Sequence, residues 1–218
     1  MKIAMLTTVV SILQMTAVWF IGKKYECIKK ELNNRRQITI LVVATILTAT
    51  MNALLFKQPE YNWLMTLNFI VIYTVVLVSG VVDLYCHKIP NIMLLIGIIA
   101  RIVVLIVMGI LFREMVGISL IMSLSGGIIS LLVLLLISIL SKKGIGYGDV
   151  KLYACLGFFL GIMDTYYILF YAVLAAAIYA AYIVLSKKGD RKTHIPFGPF
   201  TYLGFVTVYM LSFLQIYF

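Results

Sequence analysis

The sequence predicts an all-α, polytopic membrane protein with about eight transmembrane helices. It reads as a single integral-membrane domain over residues 1–218 with both termini outside. Three observations carry this expectation. First, 63% of the 218 residues are hydrophobic and only 12% are charged, which is more apolar surface than one water-soluble core can hide. Second, the apolar residues come in runs close to the roughly 20 residues that, at about 1.5 Å each, cross about 30 Å of hydrocarbon. Third, lysine and arginine gather on alternate loops. Open strands are excluded, because their unpaired backbone groups would face lipid.

The first run, 3–22, is too long for a signal peptide, lacks a small-x-small cleavage pattern and is followed by Lys23-Lys24 as a stop signal. It reads as the first span. Charges and turn residues then mark off spans at about 37–56, 64–82, 91–112, 115–140, 150–163, 165–185 and 197–217. The sixth is short. From Asp149 to Met163 the chain supplies roughly 22 Å of helix against about 30 Å of hydrocarbon, so either the glycine loop before it or the turn after it dips into the membrane.

Loops 23–36, 83–90, 141–151 and 186–194 hold fourteen lysines and arginines, against Lys2, Lys57 and Arg113 on the other side. This positive-inside bias puts those four loops in the cytoplasm of a cell with the protein in its plasma membrane. The net charge of +10 is therefore a topology signal, with attraction to anionic headgroups as a side effect. Charges split among short juxtamembrane loops do not form a nucleic-acid surface. The three cysteines, Cys27, Cys86 and Cys155, are far apart and form no CxxC pair. They are expected to be reduced and structural, with no zinc site or other cofactor.

Of eight carboxylates, two stand out. Asp83 ends the third apolar run in "LVSGVVDLYCHKIPN", and Asp149 opens the sixth in "KKGIGYGDVK". The topology puts both at the same depth on the cytoplasmic side. Gly146 and Gly148 remove side chains beside the carboxylate, permit positive φ and let another backbone approach. A helix start favours a negative charge at Asp149. Two carboxylates brought close do not both ionise, so one keeps its proton while the other acts as a base, a pair that can activate water against a peptide carbonyl. On residue chemistry alone, an equally good account makes both aspartates loop acids that balance neighbouring lysines.

"DLYCHKIPN" (83–91), "GYGDVKL" (146–152) and "IPFGPF" (195–200) occur in that order, each at a cytoplasmic span boundary. Together they resemble the type IV prepilin peptidase family, membrane aspartic proteases of the GxGD kind that include the archaeal preflagellin peptidases. The resemblance covers roughly residues 64–204. It implies that Asp83 and Asp149 are the catalytic aspartates and that Gly146 and Gly148 are the GxGD glycines. It matches Pro90 and Asn91 to the segment after the first aspartate, Lys151 to the family pattern, and Pro196, Gly198 and Pro199 to the later proline-rich turn. The prolines are equally explained as helix starts, and Lys151 as a snorkelling lysine.

The implied activity is endopeptidase cleavage, after a glycine, of the short cytoplasmic leader of a prepilin-like or preflagellin-like substrate. Such a substrate carries a basic leader and an apolar helix. Two departures from the family pattern stand out. Tyr85 occupies a position that is basic in many members. In addition, the larger bacterial members carry a cytoplasmic domain with zinc-binding paired cysteines after the first span and also methylate the product. Here that place holds "KKYECIKKELNNRRQ", with Cys27 alone, so the chain resembles a short, peptidase-only form.

The alternatives are a broader presenilin-type GxGD protease, a transporter using Asp83 and Asp149 for ions or protons, and a non-catalytic assembly factor. The presenilin type is disfavoured because its first motif is tyrosine-aspartate deep in a span, whereas Asp83 follows Val82 at a span end. A transporter calls for acids near mid-membrane and repeated halves, and neither is visible. His87 and His194 flank the two aspartates and read more simply as interfacial residues than as proton partners. Arg101, near the middle of the fourth span, either pairs with a carboxylate or reaches a water-filled cavity. Gly157 and Gly161 form a GxxxG close-packing face.

Overall fold

A computed structural model describes residues 2–24, 35–56, 63–140, 145–186 and 195–213. Every regular element among these residues is helical: α1 Lys2–Lys24, α2 Arg35–Leu55, α3 Trp63–Cys86, α4 Asn91–Leu111, α5 Arg113–Leu140, α6 Tyr147–Leu160, α7 Ile162–Leu185 and α8 Gly198–Phe213. By length and composition, α3, α4, α5 and α7 can each cross a membrane. The helices lie close to the expected apolar runs, with two differences that matter for the site. α3 continues past residue 82 to Cys86, which puts Asp83 inside a helix and not in a loop. α6 begins at Tyr147, so Asp149 lies in its first turn.

Two of the connections are a single residue long. Phe112 ends α4, donating its N–H to the Met108 carbonyl at 2.7 Å, and α5 starts at the next residue. Gly161 separates α6 from α7 with φ 81, a left-handed conformation that a side chain would strain. The glycine pair at 157 and 161 does form a close-packing face. The Gly157 backbone lies directly against Gly126 of α5, and a Cβ on Gly126 would sit 2.7 Å from the Gly161 Cα.

The bundle is layered by burial. In α3, 61% of the apolar span is buried inside the protein, compared with 22% in α4, 17% in α5 and 11% in α7, so α3 is the most enclosed of these four. α6 and α8 pack onto it and carry much of the remaining core, including Leu152, Tyr153, Leu156 and Phe205, each fully buried. Large apolar side chains such as Ile106, Ile121 and Phe170 face outward from α4, α5 and α7, as lipid-facing positions do.

Lipid tails are as apolar as leucine, so helix association here rests on packing and on hydrogen bonds worth about 0.6–2 kcal/mol each. Asn52 of α2 donates to Gln14 and Ser11 of α1, at 2.9 Å in each case. The Tyr73 and Tyr202 hydroxyls meet at 2.8 Å between α3 and α8.

Candidate active site

Three chain segments converge at one end of the bundle. α3 ends after Cys86, where His87 adopts φ 50 and donates its N–H to the Asp83 carbonyl at 2.9 Å. The chain then runs extended to Pro90, the N-cap of α4. From the second segment, Gly146 caps α6. From the third, α8 starts at Gly198, with the Thr201 N–H bonded to the Phe197 carbonyl at 3.0 Å.

Asp83 is 6% exposed. The Gly198 N–H donates to its Oδ2 at 2.7 Å, a charge-assisted contact that ties the start of α8 to α3. A Cβ on Gly198 would stand 2.8 Å from the Asp83 Cβ, so a glycine is required for this approach. Gly198, matched in the sequence only to a proline-rich turn, thus holds one carboxylate oxygen of Asp83.

Asp149 occupies the third helical position after Gly146, from which a carboxylate reaches back to the N-cap N–H. Its Oδ1 is buried without a hydrogen-bond partner. Burial, and after it the negative charge of Asp83, push the Asp149 carboxyl up, with the Gly146 N–H pulling the other way. The two aspartates, 66 positions apart in sequence, are therefore electrostatic neighbours.

The motif glycines act through close approach. Gly146 has φ −68, so positive φ, expected as one of their uses, is not used there. A Cβ at Gly146 would lie 3.1 Å from Asp149 Oδ2, and one at Gly148 would lie 3.3 Å from the Ile89 Cβ. The glycines let the α6 start sit against the 88–90 connection and leave room for the carboxylate.

Asp83 and Asp149 line one cavity of about 780 Å³. Gly146, Gly148, Asn91, Lys151 and Pro196 share the lining, and the Lys151 ammonium donates to Asn91 Oδ1 at 3.5 Å. Pro90 and Pro199 lie at helix starts, in accord with their reading as helix-initiating residues. His87 also lines the cavity, while His194 lies outside the described residues. Tyr85 packs against the hydrophobic core. One wall was not anticipated. Val173, Ala176, Ala177 and Ala180 of α7 line the same cavity, and their spacing marks one helix face without marking which cavity it borders.

Among the described residues, no group of three or more His, Cys, Asp or Glu is placed to hold a metal ion. The expectation of three reduced cysteines is corrected at Cys86, which is disulfide-bonded. Cys155 is free and buried, and Cys27 lies outside the described residues. A disulfide needs Cα atoms within about 7 Å, a proximity that sequence spacing does not encode.

Comparison with known proteins supports the family resemblance. No solved structure matches the chain. It is 36% identical over 67 residues to a prepilin leader peptidase/N-methyltransferase of Bacillus subtilis, covering 31% of this chain and 27% of that protein. It is 39% identical over 57 residues to a protein of the same name from Xanthomonas campestris pv. campestris, covering 26% and 20%. The matched region thus spans about a quarter of the length of these relatives. The model of the type IV leader peptidase family matches residues 70–181, just over half of the chain and inclusive of both aspartates. With that match, the chain belongs to the type IV leader peptidase family.

Proposed function

We propose that the protein is a membrane aspartic endopeptidase that removes the short leader from prepilin-like or preflagellin-like subunits, cutting after a glycine. The work is done at the cytoplasmic face of the plasma membrane, where the lysine-rich loops lie. One observation carries the reading: Asp83 and Asp149 share a cavity closely enough for the charge of one to raise the proton affinity of the other. The transporter alternative calls for acids near mid-span, whereas Asp83 stands three residues from the end of α3 and Asp149 in the first turn of α6.

Asp83 accepts a charge-assisted bond from the Gly198 N–H, which favours its charged form. Asp149 Oδ1 is buried without a partner, which favours its protonated form. Asp149 is therefore assigned as the acid and Asp83 as the base. Asp83 takes a proton from water as the water oxygen attacks the scissile carbonyl carbon, and Asp149 protonates the carbonyl oxygen. The resulting diol collapses as the C–N bond breaks. Asp83 then delivers its proton to the leaving amine, and a diol hydroxyl returns one to Asp149. The glycine before the cut lets the substrate backbone approach the two carboxylates.

Peptidase activity alone is proposed, because the segment 23–36 holds one cysteine where larger members of the resembled family carry pairs. The test is leader cleavage in membranes. Asp83→Asn and Asp149→Asn should each abolish it while insertion is retained, since a lone carboxylate cannot serve as both acid and base. Normal cleavage by either variant would remove this mechanism.

A further inference from the structure

At the opposite end of the bundle lies a second polar cavity of about 370 Å³, within the size range of small-ligand sites. It is formed where α3 and α7 begin and α6 and α8 end, and its charged lining residues are Arg101 and Asp164. Arg101, the eleventh residue of α4, is 7% exposed. Its Nε and Nη2 donate to Ser123 Oγ at 3.3 and 2.8 Å, and its Nη1 donates to Asn68 Oδ1 at 3.0 Å. The guanidinium also lies 5.9 Å from the centroid of the Phe159 ring. All of these partners are neutral. A guanidinium has five N–H donors, so one remains on each terminal nitrogen. Two donors are thus left for an anion, and a guanidinium can take a phosphate with two.

A buried cation held only by neutral groups inside a membrane protein is costly, and an incoming anion would offset that cost. The local depth of the protein admits one. α6 has 14 residues, about 21 Å of helix against about 30 Å of hydrocarbon. Asp149 near its Gly146 end shares a cavity with Asp83 near the end of α3. With both aspartates at the membrane surface, the shortfall of about 9 Å falls at the Gly161 end, beside this cavity. The second charged group narrows the ligand. Asp164 accepts from the Tyr209 hydroxyl at 3.4 Å and, among the described residues, forms no ion pair with Arg101. A phosphate alone would face that carboxylate unfavourably, whereas a molecule with a phosphate at one end and an ammonium at the other satisfies both. Met65, half exposed at the rim, borders the lipid side.

We propose that this cavity binds the headgroup of a zwitterionic phospholipid of the ethanolamine type, with Arg101 taking the phosphate and Asp164 the ammonium. The site takes no part in the peptidase chemistry, but its access to headgroups rests on the reading that the two aspartates lie at a membrane surface.

The test uses the full chain in nanodiscs with equal phosphatidylethanolamine and phosphatidylglycerol, followed by mild detergent release and native mass spectrometry of the retained lipid. Wild type should retain the ethanolamine lipid over the glycerol lipid by about tenfold, the ratio expected for one charge-assisted contact. Asp164→Asn, nearly isosteric, should erase that preference while retaining lipid. Arg101→Gln should lose both lipids, and inorganic phosphate at tens of millimolar should displace nothing. The proposal is overturned if wild type retains no lipid, which would leave Arg101 and Asp164 as a water-bridged pair. It also falls if Asp164→Asn keeps the wild-type preference, if a folded Arg101→Gln keeps its lipid, or if inorganic phosphate empties the site. Should Arg101→Gln fail to fold, the Asp164→Asn arm decides alone.

Discussion

Replacing Gly198 by alanine isolates the contact that joins α8 to Asp83. The added Cβ would stand 2.8 Å from the Asp83 Cβ and 2.9 Å from its Oδ2. Neither α3, 61% of whose apolar span is buried, nor the first carbon of a buried aspartate moves cheaply. Relief to ordinary van der Waals contact needs about 0.6–1 Å of separation, and the 2.7 Å bond from the Gly198 N–H does not survive that. Overpacking of this kind costs about 1–3 kcal/mol of stability. A misplacement of about 1 Å in a reacting group lowers rates by about 10²-fold, equivalent to about 2.7 kcal/mol in the barrier.

Gly198→Ala is therefore expected to fold and insert, with a lower melting temperature in detergent, and to cleave a prepilin-like substrate about 100-fold more slowly. Gly148→Ala is the control. Its Cβ would meet only the Ile89 side chain at 3.3 Å, so cleavage should fall less than tenfold, near the low end of the overpacking cost. The assay is single-turnover cleavage by purified protein in lipid. Gly198→Ala with a rate within threefold of wild type would refute the claim that this approach positions Asp83.

Three further outcomes are expected. Asp149 is assigned as the proton donor, and burial and the charge of Asp83 hold its carboxyl above the ordinary carboxylate range. Cleavage should therefore decline once the pH passes that raised pKa and fall about tenfold per pH unit beyond it. A rate that stays flat from pH 6 to 9 in a folded enzyme would contradict that assignment. Lys88→Cys, in a background carrying Cys86→Ser, should react with an impermeant maleimide only after the cytoplasmic side is opened. Labelling in intact cells would reverse the orientation. Gly157→Leu should prevent the contact of α6 with Gly126 of α5 and cost several kcal/mol, read as a large loss of melting temperature or of folded yield; a wild-type melting temperature would show that the helices do not pack glycine to glycine.

The sequence by itself determined what a one-dimensional pattern can carry. Apolar runs interrupted by charges located the helices, because a hydrocarbon solvent demands about 20 apolar residues per crossing. The expected third span at 64–82 lies within helix Trp63–Cys86, and the expected fourth at 91–112 matches helix Asn91–Leu111. The motifs around Asp83 and Asp149 identified the family to which the chain belongs.

What only the tertiary structure decided are relations between residues distant along the chain. That Asp83 and Asp149 interact, that Gly198 donates to Asp83, and that one face of α7 walls the cavity all follow from how α3, α6, α7 and α8 pack. The motif glycines show the distinction at a single position. Sequence offers both conformational freedom and lack of a side chain as reasons for a glycine, and the φ of −68 at Gly146 selects the second. Cys86 and Arg101 show it again. Sequence spacing foretells neither the disulfide at Cys86 nor the contacts of Arg101 with Asn68 and Ser123, 33 and 22 positions away. Side-chain chemistry is local to a residue, whereas its partners are set by the packing of helices from separate parts of the chain.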